Sequence, residues 1–187
     1  MAWKKDHKEN SKDKILISAA SLFTRYGFEK VSINQVMENA ALTRGAFYSH
    51  FTSKSDLYSQ ALLTAGILAK NDHIKNCDGS FERLTKRYLS EEHRNESITN
   101  LCPLAFLVTD INQQNITVKD TYTNVFKGFV EQANQQTSSK QSALQTAALM
   151  IGGLALAKAI NDTSLSDELL IACQEGIATL LQKSEVS

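Results

Sequence analysis

Within twelve positions, residues 43–54, the chain carries Thr43, Arg44, Gly45, Tyr48, His50 and Lys54. These side chains supply hydroxyl, guanidinium, phenol, imidazole and ammonium donors. A guanidinium fork pairs with two acceptors at once, as on guanine, and an ammonium pairs with a phosphate as a point charge. On a helix over 44–50, Phe47 and Phe51 share one side, while Arg44, Gly45, Tyr48 and Ser49 lie on or beside the other. That arrangement suits insertion into a major groove, where the N-terminal residues of a short helix reach base edges. Gly45 costs ~1 kcal/mol relative to alanine inside a helix, and its missing side chain lets a backbone approach closely. Lys54 falls in the first turn of a helix, where the macrodipole disfavours a cation unless a phosphate is bound there too. The same residues can also be read as a solvated face, because short capped helices occur without any nucleic acid.

The elements that must position this set are marked by capping signals. Residues 11–26 form a first helix, with Ile15, Ala19, Leu22, Phe23 and Tyr26 on one face and Gly27 as a left-handed stop. Ser32 and Gln35 make a capping box, and Val31 and Val36 form a hydrophobic staple across it. A short helix therefore starts at Ile33 and buries Ile33, Val36, Met37 and Ala40. Ala41-Leu42 turns the chain, and Thr43 caps the next helix with Leu42 and Phe47 as its staple. Ser53 and Asp56 repeat the box once more. Three helix starts this close enclose a helix of barely two turns, which a helix-turn-helix requires and an ordinary bundle does not.

Composition narrows the rest. With 42% hydrophobic and 21% charged residues the chain is an ordinary globular one, and 187 residues allow a sizeable core. No apolar run approaches the ~18 residues of a membrane span, and the charged start Met1-Ala2-Trp3-Lys4-Lys5 leads into no secretion signal. A cytoplasmic protein without membrane contact is expected. Residues 1–56 hold nine Lys/Arg against six Asp/Glu, and 57–187 hold eleven against fourteen, so a basic head sits on an acidic body. The acids Asp6, Glu9 and Asp13 among the first lysines mark residues 4–14 as a solvated leader rather than a basic arm. Cys77, Cys102 and Cys173 are widely spaced and form no C-x-x-C pair. No H-E-x-x-H, glycine-rich phosphate loop or nucleophile–base pair is present, so neither an enzyme nor a metal or cofactor site is expected.

The segments Ile15-Leu16-Ile17-Ser18-Ala19-Ala20-Ser21-Leu22-Phe23, Tyr26-Gly27-Phe28 and Val31-Ser32-Ile33-Asn34-Gln35-Val36 resemble the N-terminal signature of the tetracycline-repressor (TetR/AcrR) family. The likeness continues through Ala40-Ala41-Leu42-Thr43-Arg44-Gly45-Ala46-Phe47-Tyr48-Ser49-His50-Phe51 and Ser53-Lys54-Ser55-Asp56-Leu57. Ala41 stands where the family usually has the glycine of the turn, and Phe47 is bulkier than the common residue. The resemblance implies phosphate contacts from Ser32, Tyr48, His50 and Lys54, and base-edge positions at Gln35, Thr43, Arg44 and Gly45. It implies a repressor of double-stranded operator DNA, released from a palindrome by an unknown small-molecule effector. The corresponding domains are a helix-turn-helix over 1–52 and a helical effector-binding and dimerisation domain over 53–187.

Helical periodicity continues beyond Leu57, so the fold expected is all-α with about nine helices. One runs over 53–74, a turn at Asp78-Gly79 leads to one with Phe81, Leu84 and Tyr88, and another starts at Pro103. The last three cover 116–134, 143–160 and 166–182. In the final pair Ala147, Ile151, Leu154 and Ala155 face a stripe of Cys173, Ile177 and Leu180. A buried core accounts for these, and so does a homodimer interface, the arrangement the resemblance implies. Tyr88–Arg94 and 101–105 resemble a subgroup of the family without naming an effector. Cys102, Phe106, Tyr122 and Phe126 are candidates for an effector or redox site, Cys102 because an N-cap before Pro103 would favour its thiolate.

Overall fold

The computed structural model describes residues 2–95 and 102–182, with side-chain surroundings for 9–95 and 102–181. The described residues form ten α-helices and one 3-10 turn, and contain no strand. In chain order the helices are α1 (Ala2–Lys30), α2 (Ile33–Asn39), α3 (Arg44–Tyr48), α4 (Lys54–Cys77), α5 (Phe81–Tyr88), α6 (Glu91–Arg94), α7 (Pro103–Phe106), α8 (Ile116–Asn134), α9 (Lys140–Ala159) and α10 (Thr163–Gln182), with the 3-10 turn at Asp110–Gln113 between α7 and α8.

The first helix departs from its expected bounds at both ends. It begins at Ala2, so the stretch 4–14, expected as a solvated leader ahead of a helix starting at 11, is itself helical. Gly27 breaks it with φ 80° and ψ 172°, which is positive φ but not the left-handed helical cap, and helical backbone resumes through Lys30. Only glycine takes that backbone without strain. The capping box of α2 forms as expected: Gln35 N–H donates to Ser32 Oγ at 3.2 Å, and Ser32 N–H donates to Gln35 Oε1 at 2.7 Å. Thr43 is the N-cap of α3 by backbone geometry alone, since its side chain accepts no capping bond. At α4, Asp56 N–H donates to Ser53 Oγ at 3.0 Å, but the return bond comes from Thr52 N–H at 2.9 Å rather than from Ser53. Partial burial alone would raise the Asp56 carboxyl, but the bonds from Thr52, and one from Gln60 Nε2 at 2.8 Å, together hold it below its usual range.

The chain divides into two compact units. The first comprises the described residues of Met1–Ala69 and Asn100–Thr123. Its core joins Ile15, Ala19 and Phe23 of α1, Val36 and Met37 of α2, Phe47, Phe51, and Leu57, Tyr58 and Leu62 of α4. Leu107, Ile111 and Val118 belong to the same core, so a segment far along the chain completes the head. Polar bonds accompany them: Asn115 Nδ2 donates to Ser55 Oγ at 2.7 Å, and the Ser59 and Thr121 hydroxyls lie 2.6 Å apart.

The second unit comprises the described residues of Lys70–Thr99 and Asn124–Ser187. Helices α9 and α10 pack together, and α5 and α6 lie against them. Met150, Leu154 and Ile177 are fully buried here, worth ~1.5–3 kcal/mol each. Gly153 is needed where α9 meets α10, because a Cβ would stand 2.7 Å from Cys173 Sγ and 3.3 Å from Leu89 Cδ2. Arg94 is buried, and its guanidinium donates to Ser166 Oγ at 2.7 Å and to Asp167 at 2.5 Å, anchoring α6 to the start of α10. His93 is only 4% exposed and bonds the Tyr88 carbonyl through Nδ1 at 2.8 Å. By length and composition α9 is apolar enough to cross a bilayer, although no unbroken apolar run in the sequence is. Its buried residues pack α10, as in the core helix of a folded domain.

Candidate nucleic-acid interface

The capping residues at 32, 43 and 53 stop and restart the chain so that α3 is only five residues long. Its inward residue is Phe47, 1% exposed, which stacks on Phe51 with ring centroids 5.6 Å apart. The apolar anchor on one side leaves the other to solvent: Thr43, Arg44, Gly45, Tyr48 and Ser49 are all exposed. Tyr48 is 61% exposed, a large aromatic held out in water. Arg44 reaches forward along the helix to the Tyr48 hydroxyl at 3.4 Å, the i,i+4 neighbour. The two candidate contacts therefore share one outward face. Gly45 is open, with only Thr43 Oγ1 within 4 Å (3.9 Å) of the place a Cβ would take.

Ser32 and Gln35 are both exposed at the start of α2 and hold each other in the capping box. The Gln35 carbonyl oxygen accepts the Ser32 N–H, which leaves its NH2 donors and a second oxygen lone pair for an outward contact. His50 is half-buried, and its Nε2 lies 2.8 Å from Ser11 Oγ on α1. Lys12, one residue on, stands over the Phe51 ring at 5.9 Å. Neither Ser11 nor Lys12 is legible as a partner of this region in the sequence, because both lie before the apolar stripe of α1 begins. Lys54 sits in the first turn of α4 with its ammonium 4.2 Å from the centre of the Phe28 ring. The cation–π contact explains how a lysine is tolerated where the helix dipole opposes it.

The other named residues fall elsewhere. Cys102 is the N-cap of α7 by backbone geometry and is buried, with no side-chain capping bond. Tyr122 donates its hydroxyl to the Leu104 carbonyl at 2.7 Å, and burial, with Cys102 nearby, pushes its phenol up to about 12. Cys102, Tyr122 and the half-buried Phe106 belong to the first unit, whereas Phe126 belongs to the second. Ala147, Ile151, Leu154, Cys173 and Ile177 are buried within the chain itself, with Ala155 and Leu180 half-buried. The exposed apolar residues of α9 and α10 are instead Leu144, Leu156, Leu165 and Ile171, which periodicity alone did not single out.

Residues 15–61 match the family described as bacterial regulatory proteins, tetR family. Among curated relatives, the A-factor receptor protein of Streptomyces griseus is 41% identical over 49 residues, 26% of this chain and 17% of that protein. The Tn10 TetC protein of Escherichia coli is 34% identical over 93 residues, 46% of each chain. The regulator AcrR of Shigella flexneri is 38% identical over 56 residues, 30% of this chain and 26% of its own. The matches thus span less than half the length of these relatives. Solved structures extend the likeness of fold: E. coli NemR in its reduced form has a TM-score of 0.70 at 16% identity, covering 91% of this chain and 97% of its own. A TetR-family regulator from Agrobacterium tumefaciens has a TM-score of 0.68 at 19% identity, covering 91% and 98%. Residues 15–61 thus carry the helix-turn-helix match to the tetR family of bacterial regulatory proteins, and the all-helical fold around them is similar to that of the Agrobacterium tumefaciens regulator.

Proposed function

We propose that the chain is a transcriptional repressor that binds palindromic operator DNA as a homodimer and is released by a small molecule held in its helical body. One observation carries the reading: on α3 the inward Phe47 is buried while Thr43, Arg44, Gly45 and Tyr48 are presented together to solvent. Residues 1–52 then read DNA, and 53–187 bind effector and dimerise. This is a division of labour, since the packing of the first unit also uses residues 102–123. Arg44 pairs with guanine at a base edge, and Gln35 offers its NH2 group to an acceptor such as guanine O6 or thymine O4. Ser32, Tyr48, His50 and Lys54 hold phosphates and set register. Regulation is the chain's work rather than catalysis, and the cytoplasm, where the DNA lies, is its place of action.

Dimerisation uses the outward stripe of α9, where Leu144, Ala148, Gly152, Ala155, Leu156 and Ala159 recur at helical spacing. Two-fold symmetry of the protein matches that of a palindrome. The effector favours a conformation with misplaced heads, and operator DNA must weaken its binding by the same factor. Selection of duplexes from a random library by the full chain tests the reading. Recovery of a palindrome whose binding falls steeply with salt is the expected result. A wild-type chain that enriches no sequence would overturn it.

A further inference from the structure

Asp110 opens the 3-10 turn before α8, 82 residues along the chain from Phe28, yet the two are bonded. Asp110 Oδ1 accepts the Phe28 N–H at 3.1 Å, and Oδ2 accepts the Tyr58 O–H at 2.5 Å. Phe28 follows the break at Gly27, so the carboxylate serves an N–H close to the point where α1 loses its regular geometry. The approach is close: a Cβ on Gly27 would stand 3.1 Å from Asp110 Oδ1. Tyr58 is fully buried, and burial together with Asp110 drives its phenol far above the ordinary range, so it remains a donor. The rings of Phe28 and Tyr58 lie 5.1 Å apart, and Phe23 closes the cluster with its centroid 4.8 Å from Tyr58. On the Phe28 ring rests the ammonium of Lys54, 4.2 Å from its centre.

We propose that Asp110 is a positioning residue for DNA binding: by fixing Phe28 and Tyr58 it holds the aromatic platform that presents Lys54 to a phosphate. The proposal rests on the operator-binding reading above. A lysine in the first turn of a helix is opposed by the dipole and has many rotamers, so its placement depends on what its ammonium touches. The carboxylate touches no part of the exposed face of α3. Its effect passes through the Phe28 backbone and ring to one charge.

The test is the salt dependence of binding by the full-length chain to a palindromic duplex selected with the wild type. Removing one lysine–phosphate ion pair lowers the slope of log K against log salt by about 0.9. Lys54→Ala and Asp110→Ala should each flatten the slope by that amount per subunit, and the double variant should lose no more than either single one. Asp110→Asn should restore the wild-type slope, because its carbonyl can accept from Phe28 and its NH2 can donate to the Tyr58 oxygen. A merely structural Asp110 would lower the melting temperature without changing the slope. Phe28→Leu removes the platform while keeping an apolar side chain, and should reproduce the Lys54→Ala slope even where Asp110→Ala proves too unstable. An unchanged slope in Asp110→Ala or Phe28→Leu, or additive losses in the double variant, would overturn the proposal. A wild type with no sequence preference would fail earlier and mark the operator reading itself as wrong.

Discussion

Arg44 and Lys54 separate two kinds of binding energy. Arg44 stands on the exposed face of α3 beside Tyr48, so its replacement by alanine should cost about 1–3 kcal/mol on the selected operator. The loss should be confined to one base position per half-site and be small on scrambled DNA. Gel shifts on single-base variants measure this, and equal losses on all sequences would refute a base-reading role. His93 sets a different expectation, on stability. Burial, helped by the nearby positive charges of Arg87 and Lys158, leaves its imidazole depressed to about 4 despite the bond to the Tyr88 carbonyl and the Asp72 carboxylate, which both favour the charged form. The unfolded chain binds the proton first, near the usual histidine value of ~6.5. The contribution of neutral His93 is therefore complete above pH ~6.5 and is lost as pH falls toward about 4, on the order of 3 kcal/mol over that window. Melting curves of the wild type should fall in this range, and those of His93→Gln should be flatter.

At the scale of elements, two backbone positions carry opposite expectations. Ala41 ends the turn after α2 with φ 55°, a left-handed conformation that costs a residue with a Cβ about 1 kcal/mol or more. Ala41→Gly should therefore raise stability by roughly 1 kcal/mol, as urea unfolding would show, although glycine also adds entropy to the unfolded chain. Gly153 should behave the other way. Any side chain there runs into Cys173 and Leu89, so Gly153→Ala forces α9 away from α10 and should cost about 1–3 kcal/mol. An unchanged unfolding midpoint would mean that the α9–α10 contact yields more easily than its packing implies. The first exchange is legible through the family resemblance, which implies a glycine where this chain has Ala41. The second is not, because Gly152 and Gly153 are adjacent and only the packing shows that Gly152 has open space while Gly153 has none.

For the whole molecule the interface prediction follows exposure rather than hydrophobicity. Five of the seven residues with the strongest apolar pattern on α9 and α10 pack the chain's own core. Leu156, 59% exposed, lies on the outward stripe. Leu156→Glu should thus convert a dimer to a folded monomer, while Leu154→Glu should unfold the chain. Sedimentation at micromolar concentration with circular dichroism distinguishes the two, and a Leu156→Glu dimer of wild-type affinity would exclude this stripe. The monomer should also lose most of its operator affinity, because two heads then bind independently instead of as one body.

Local rules were sufficient for much of this protein. Ser32-x-x-Gln35, Thr43 and Ser53 mark three helix starts because caps satisfy backbone N–H groups within a few residues, and such interactions need no tertiary context. Periodicity likewise placed α8 at its observed bounds, since an amphipathic helix declares its own length. The outward set on α3 follows from the same two facts. Tertiary structure alone decided the rest. A stripe of Ala147, Ile151 and Leu154 looks the same whether a helix of the same chain or of a partner covers it. Asp110 has no local signal at all, because its acceptor oxygens meet donors 82 and 52 positions away. Long-range hydrogen bonds depend on where folding brings a segment, and residues 107–118 enter the head's core only through the three-dimensional packing of Leu107, Ile111 and Val118.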